Sequence, residues 1–156
     1  MSGDPDGIER VRVQVAVLPH GRGLPLPRPA TPGASGVDLQ AAIEEPLSIP
    51  PLGRAPVPTG IRVAIPEGWE WQVRPRSGLA LRSGLTVLNT PGTVDSDYRG
   101  EVQVILVNLG DSPVTVCRGD RIAQAVLCRV SSIGFQEVRE LPDSSRGEGG
   151  FGSTGV

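Results

Sequence analysis

The chain has 156 residues, 38% of them apolar, with five aromatic side chains and a formal charge of −2. That length suits one domain with a real core but not two, and so little apolar material predicts an oligomer that shares buried surface. Mixed-sign charge gives no basic face for a nucleic-acid backbone, and no apolar run approaches the roughly 18 residues of a membrane helix, so neither partner is expected.

Residues 1–10, "MSGDPDGIER", are polar, with Gly and Pro. They are expected to be disordered and lack the apolar core of a signal peptide, which implies a reduced, cytoplasmic protein. "VRVQVAV" (11–17) alternates apolar and polar residues and predicts a half-buried strand. Eleven of the sixteen prolines fall between Pro19 and Pro66, which argues against long helices and central strands there while allowing edge strands and rigid turns. His20, in a Gly/Pro-rich loop, is assigned no role. Period two returns at "VPTGIRVAIP" (57–66) and "WEWQVRP" (69–75), and "SGLALRSG" (77–84) reads as one brief helix. Further strands are expected at 85–89, 100–110, 112–120, 121–130 and 135–140. Cys117 and Cys128 lack zinc-ligand spacing and read as small apolar strand residues. Many short strands with turn punctuation predict an all-β sandwich, jelly roll or barrel with at most one short helix.

Five stretches carry more polar chemistry than a scaffold needs. "GASGVDLQA" (33–41) places Asp38 between Val37 and Leu39, so on a strand it would face away from the core. "RPRSGLA" (74–80) sets Arg76 and Ser77 before Gly78 at a strand end, where a ligand has room to approach. "NTPGTVDSDYRGE" (89–101) crowds Asp95, Asp97, Tyr98 and Arg99 into one turn that calls only for Gly and a polar residue. "GDRIAQ" (119–124) leads a Gly-Asp turn into a strand with Gln124 as its one amide; the bland reading of Asp120 and Arg121 is a hairpin turn with a surface ion pair. "RGEGGFGST" (146–154) spaces Gly147 and Gly152 like the pattern G-x-x-x-x-G-K-S/T but has no Lys, so a Walker A loop is excluded. Converging glycine N–H groups, hydroxyls and Arg146 still suit an anion. All fifteen cations of the chain are Arg, so phosphate contacts come from planar forks or backbone N–H groups.

In this order the five stretches resemble the motifs of the trimeric deoxyuridine triphosphatases (dUTP diphosphatases), from about residue 11 to 155. Ser35 and Val94 are small departures from the family pattern. The resemblance implies a jelly-roll-like distorted barrel over 11–140, a homotrimer with active sites shared between subunits, and Mg²⁺-dependent hydrolysis of dUTP to dUMP and pyrophosphate. It assigns Asp95 as the general base for water attack on the α-phosphorus, and Asp97 to the turn surface. Arg76, Ser77, Gly78 and Gln124 would bind phosphates, and Asp38 would reach Mg²⁺ through water. The hairpin from Asn89 to Tyr98 would read the uracil edge with its backbone, with Tyr98 under the deoxyribose and Arg99 bracing the hairpin or a neighbouring subunit. Residues 141–156 become a flexible arm that closes on the site, Phe151 stacking on uracil and Arg146, Gly152, Ser153 and Thr154 gripping the γ-phosphate.

Two other readings share the scaffold. A dCTP deaminase, pure or bifunctional, would need an acid to activate water at C4 of cytosine, and "GTVDSDYRGE" with the Phe-containing tail resembles the uracil enzymes more closely. A silent binding module would have no reason to keep a water-activating carboxylate at Asp95.

Overall fold

The computed structural model describes residues 10–150 of the chain. Its strands are β1 (Gln14–Val17), β2 (Gly36–Gln40), β3 (Leu47–Ile49), β4 (Arg54–Ala64), β5 (Trp69–Arg74), β6 (Leu85–Val87), β7 (Gly92–Val94), β8 (Glu101–Asn108), β9 (Val114–Val116) and β10 (Arg121–Arg129). One helix, α1 (Ser77–Ser83), follows β5, and a 3-10 turn spans Pro19–Gly21. Two four-stranded antiparallel sheets are ordered β1-β4-β8-β6 and β2-β10-β5-β7, and β3 and β9 form a separate two-stranded pair. This is an all-β, jelly-roll-like arrangement.

Alternation builds the core. Val102, Val104 and Leu106 of β8 and Val57, Ile61 and Val63 of β4 turn their side chains inward from one sheet; Leu39, Trp71, Val73, Ala123 and Ala125 do so from the other. Burying each of the larger aliphatic side chains contributes roughly 1.5–3 kcal/mol. Asn108, fully buried at the end of β8, donates to the carbonyls of Ile49 (2.9 Å) and Ser112 (2.8 Å) and accepts from the N–H of Gly110 (2.9 Å). These bonds tie the end of β3 to the β8–β9 loop and leave no unpaired polar atom on the side chain.

Four expectations change. β4 is an interior strand although it contains Pro56 and Pro58: β1 pairs only with Ile61–Ala64, so the prolines lie in the half bonded to β8 alone, where a missing N–H leaves no ladder gap. The expected strand at 135–140 is absent; despite its alternation this stretch meets no sheet edge and Phe135 is 96% exposed. β1 begins at Gln14 and is exposed on both faces in the single chain. Cys117 sits exposed in the turn after β9 and not on a strand.

Candidate active site

One cluster forms where β2, β10 and β5 lie side by side. Asp38 is paired with Gln124, and Gln124 with Arg74, so the three side chains share one face of the sheet. Pro75 then ends β5, Arg76 occupies the N-cap position of α1, and Ser77 begins the helix. Arg76 Nε donates to Asp38 Oδ1 at 2.9 Å and Arg121 Nη1 to Asp38 Oδ2 at 3.3 Å. Gln124 Nε2 donates to the carbonyl of Pro75 at 3.0 Å, fixing the strand end behind Arg76. These groups, with Ser77 and Gly78, line a cavity of about 340 Å³. Two guanidinium groups against one carboxylate leave the cavity with a net positive charge, and the hydroxyl and amide add neutral polar groups. The arrangement suits an anion with several oxygens.

The second cluster is the turn after β7. β7 pairs with β5 through Trp71–Val94 and Val73–Gly92, which directs the turn toward the Trp69 end of β5. The Thr90–Pro91 peptide before β7 is cis. Asp95 is exposed and, with Asp97, Glu70 and Arg99, lines a groove of about 850 Å³. Arg99 Nη1 donates to the carbonyls of Ser96 (2.6 Å) and Tyr98 (2.9 Å), bracing the turn. The Tyr98 hydroxyl donates to the carbonyl of Glu101 at 3.0 Å. Its ring lies so close over Gly100 that a Cβ there would fall 2.5 Å from Cζ, so only glycine lets the tyrosine fold back on its own strand. The Asn89 amide packs against Gly92.

A single chain therefore does not bring all its predicted site residues together. Asp95 lies just past the residue paired with Trp71, and Arg76 lies two residues beyond Arg74. The two clusters are separated by most of β5, on the order of 15–20 Å at strand rise. Along that strand the side chains form a ladder: Gln72 Nε2 donates to Glu70 Oε1 and Arg74 Nη2 to Gln72 Oε1, both at 2.7 Å.

Among the described residues no group of three or more His, Cys, Asp or Glu side chains converges as a metal cage. Asp38 is the one carboxylate lining the cationic cavity. Arg146 is exposed, its Nε bonded to the carbonyl of Gly149 at 2.6 Å. Phe151, Gly152, Ser153 and Thr154 lie outside the described residues.

Arg121 does not form the expected turn ion pair with Asp120: it holds Asp38, while Asp120 Oδ2 accepts the N–H of Cys117 at 2.7 Å and caps the turn. The contact of His20 with Glu101 spans 81 positions, and no local pattern announces it.

The dUTPase family model matches residues 22–155. The chain is 57% identical over 141 residues to the deoxyuridine 5'-triphosphate nucleotidohydrolase of Rhizobium rhizogenes, spanning 89% of this chain and 90% of that one. It is 50% identical over 149 residues to the protein of the same name from Wolbachia pipientis, spanning 94% and 97%. Among solved structures, a variant dUTPase of Staphylococcus bacteriophage 80alpha with dUpNHpp superposes with a TM-score of 0.83 at 24% identity, over 93% of this chain and 99% of that one. A variant dUTPase from phage phi11 of S. aureus, described with a coordinated structural Mg(II) ion, superposes at 0.74 and 21% identity, over 83% and 97%.

Proposed function

Since the chain belongs to the dUTPase family, whose model spans residues 22–155, we propose that it hydrolyses dUTP to dUMP and pyrophosphate by attack of water on the α-phosphorus. The observation that carries this reading is the convergence of Asp38, Arg76, Ser77, Gly78 and Gln124, from three separate stretches, on one cationic cavity. Arg76 is the phosphate fork. Its Nε meets Asp38, and Arg121 meets the other oxygen of that carboxylate, so Asp38 stays neutralised when the Arg76 guanidinium takes phosphate oxygens. Ser77 and Gln124 donate to the same phosphates and hold them in line for attack.

Asp95 is the general base that orients the water and takes its proton, a contribution of about 10² to 10⁴ in rate. Its exposed position fits a group that waits for its site to be completed. The backbone of the Asn89–Tyr98 hairpin recognises the uracil edge and leaves no room for a 5-methyl group, and the Tyr98 ring packs under deoxyribose against a 2′-hydroxyl.

The donor set fits Mg²⁺ that arrives on the substrate, because such an ion needs only one or two carboxylates beside phosphate oxygens and water. Asp38 would hold it through a water, and the ion would supply neutralisation of phosphate charge. Because Asp95 and Arg76 lie at opposite ends of β5, we assign the active site to a homotrimer, in which one subunit's hairpin faces a neighbour's phosphate cluster. The arm from residue 141 closes over this shared site, Phe151 on the base and Arg146, Gly152, Ser153 and Thr154 on the γ-phosphate. The reaction is assigned to the cytoplasm. Both cysteines are free thiols, and among the described residues no helix is long and apolar enough to cross a membrane.

Pyrophosphate release with Mg²⁺, compared for dUTP, dTTP, dCTP and UTP, tests the activity; equal rates on all four, or none on dUTP, would refute it. Subunit mixing tests the shared site. Asp95→Asn and Arg76→Ala, each nearly inactive alone, should regain about a quarter of wild-type activity when refolded together, since each mixed trimer restores one intact site. No recovery from well-formed hybrids would place both residues in the same subunit's site.

A further inference from the structure

His20 lies outside all five motifs, yet it is anchored at both ends. Arg118 fixes its turn by donating from Nη1 to the carbonyl of His20 (2.8 Å) and from Nη2 to that of Arg22 (2.9 Å). Its ring nitrogen Nε2 lies 2.6 Å from Glu101 Oε1, with the imidazole 32% and the carboxylate 18% exposed. The same oxygen accepts the N–H of Gly60 at 2.8 Å. That N–H is free to do so because β4 slips register between Pro58 and Arg62, with Gly60 at φ +70. Gly60 in turn accepts from Leu18 N–H at 2.8 Å. It packs so tightly on Gly21 that neither position has space for a Cβ.

Glu101 is thus gripped through its carboxylate by the 3-10 turn and the β4 bulge, while its carbonyl receives the Tyr98 hydroxyl. We propose that His20 and Glu101 are specificity-determining positioning residues: the imidazole–carboxylate bond fixes the first residue of β8, whose carbonyl holds the Tyr98 ring where it meets the sugar. The step rests on the reading that Tyr98 packs under deoxyribose. Neither His20 nor Glu101 touches substrate in this scheme. Their effect passes through the tyrosine ring, so it falls on recognition of the sugar more than on the chemical step.

Kinetics on dUTP and UTP and the ring resonances of Tyr98, the only tyrosine in the chain, test this in the full-length protein. His20→Ala should lower the preference for dUTP over UTP by about tenfold, mainly through a raised KM for dUTP, and should broaden or split the Tyr98 ring signal. His20→Gln, which retains an N–H donor, should recover most of the preference. In a Tyr98→Phe background, His20→Ala should change the preference less than about twofold, because the bond it supports is already gone. A His20→Ala protein with unchanged preference and an unchanged ring signal overturns the proposal, even if its Tm falls. Should His20→Ala not fold, His20→Leu, closer to the ring in volume, replaces it under the same criteria. Tyr98→Ala separates the two ideas. If it leaves the sugar preference intact, the reading of Tyr98 fails, and the ring signal still decides whether His20 holds it.

Discussion

The two ends of the sheet β2-β10-β5-β7 carry comparable numbers of charged groups and treat them differently. At the Arg74 end, Asp38, Arg76, Arg121 and Gln124 are bonded to one another or to the strand ends, so the chain's own bonds position these groups. At the Trp69 end, Asp95 and Asp97 stand exposed, and the turn is held mostly by its own backbone through Arg99 and Tyr98. Phosphate binding depends on preset charge, which strand ends fixed by ladder bonds can supply. In the proposed reading the hairpin recognises the base against a wall that a neighbouring subunit supplies.

The sharpest way to break the contrast is Asp95→Asn. It should lower kcat about 10²-fold or more while leaving the affinity for a non-hydrolysable dUTP analogue nearly unchanged; a matching loss of affinity would mean that Asp95 is part of the preset cluster after all. Ending the chain at Leu141 comes next. The sheets should remain, as read by circular dichroism, but kcat/KM should fall by at least about 10², and near-full activity would remove the arm from the site. Gly100→Ala should displace the Tyr98 ring and raise KM for dUTP about tenfold with a smaller change in kcat. Asn108 belongs to neither cluster, which makes Asn108→Ala a test of the scaffold alone. It should destabilise the fold by about 2–4 kcal/mol in denaturant melts and leave the KM of the folded protein unaltered.

Much of this contrast is legible in the sequence. Alternation in β5, β8 and β10 and the brief helix after Arg76 were readable because those elements are long or strongly punctuated. Asp38 facing away from the core followed from its neighbours Val37 and Leu39. The three-residue strands β3 and β7 show no such signal, whereas the equally short β6 and β9 fall within the expected strands at 85–89 and 112–120. "FQEVRE" has the period without an edge to pair with, which only tertiary structure can reveal. Prolines in β4 misled for a related reason: a strand can be interior along half its length and an edge along the rest. Partnerships across sheets were the least visible. Arg121 finds Asp38 and not the adjacent Asp120, and His20 finds Glu101, because pairing in three dimensions depends on register.

β5 also acts as a strut. Its ends carry unlike half-sites, and the Glu70–Gln72–Arg74 ladder splints it between them. Removing two of its residues would preserve which way every side chain faces but draw the ends together by about 7 Å. In the homotrimer proposed above, each strut would set the gap between neighbouring catalytic centres. Its length would then be a dimension of the whole assembly, and shortening it would disturb every centre at once.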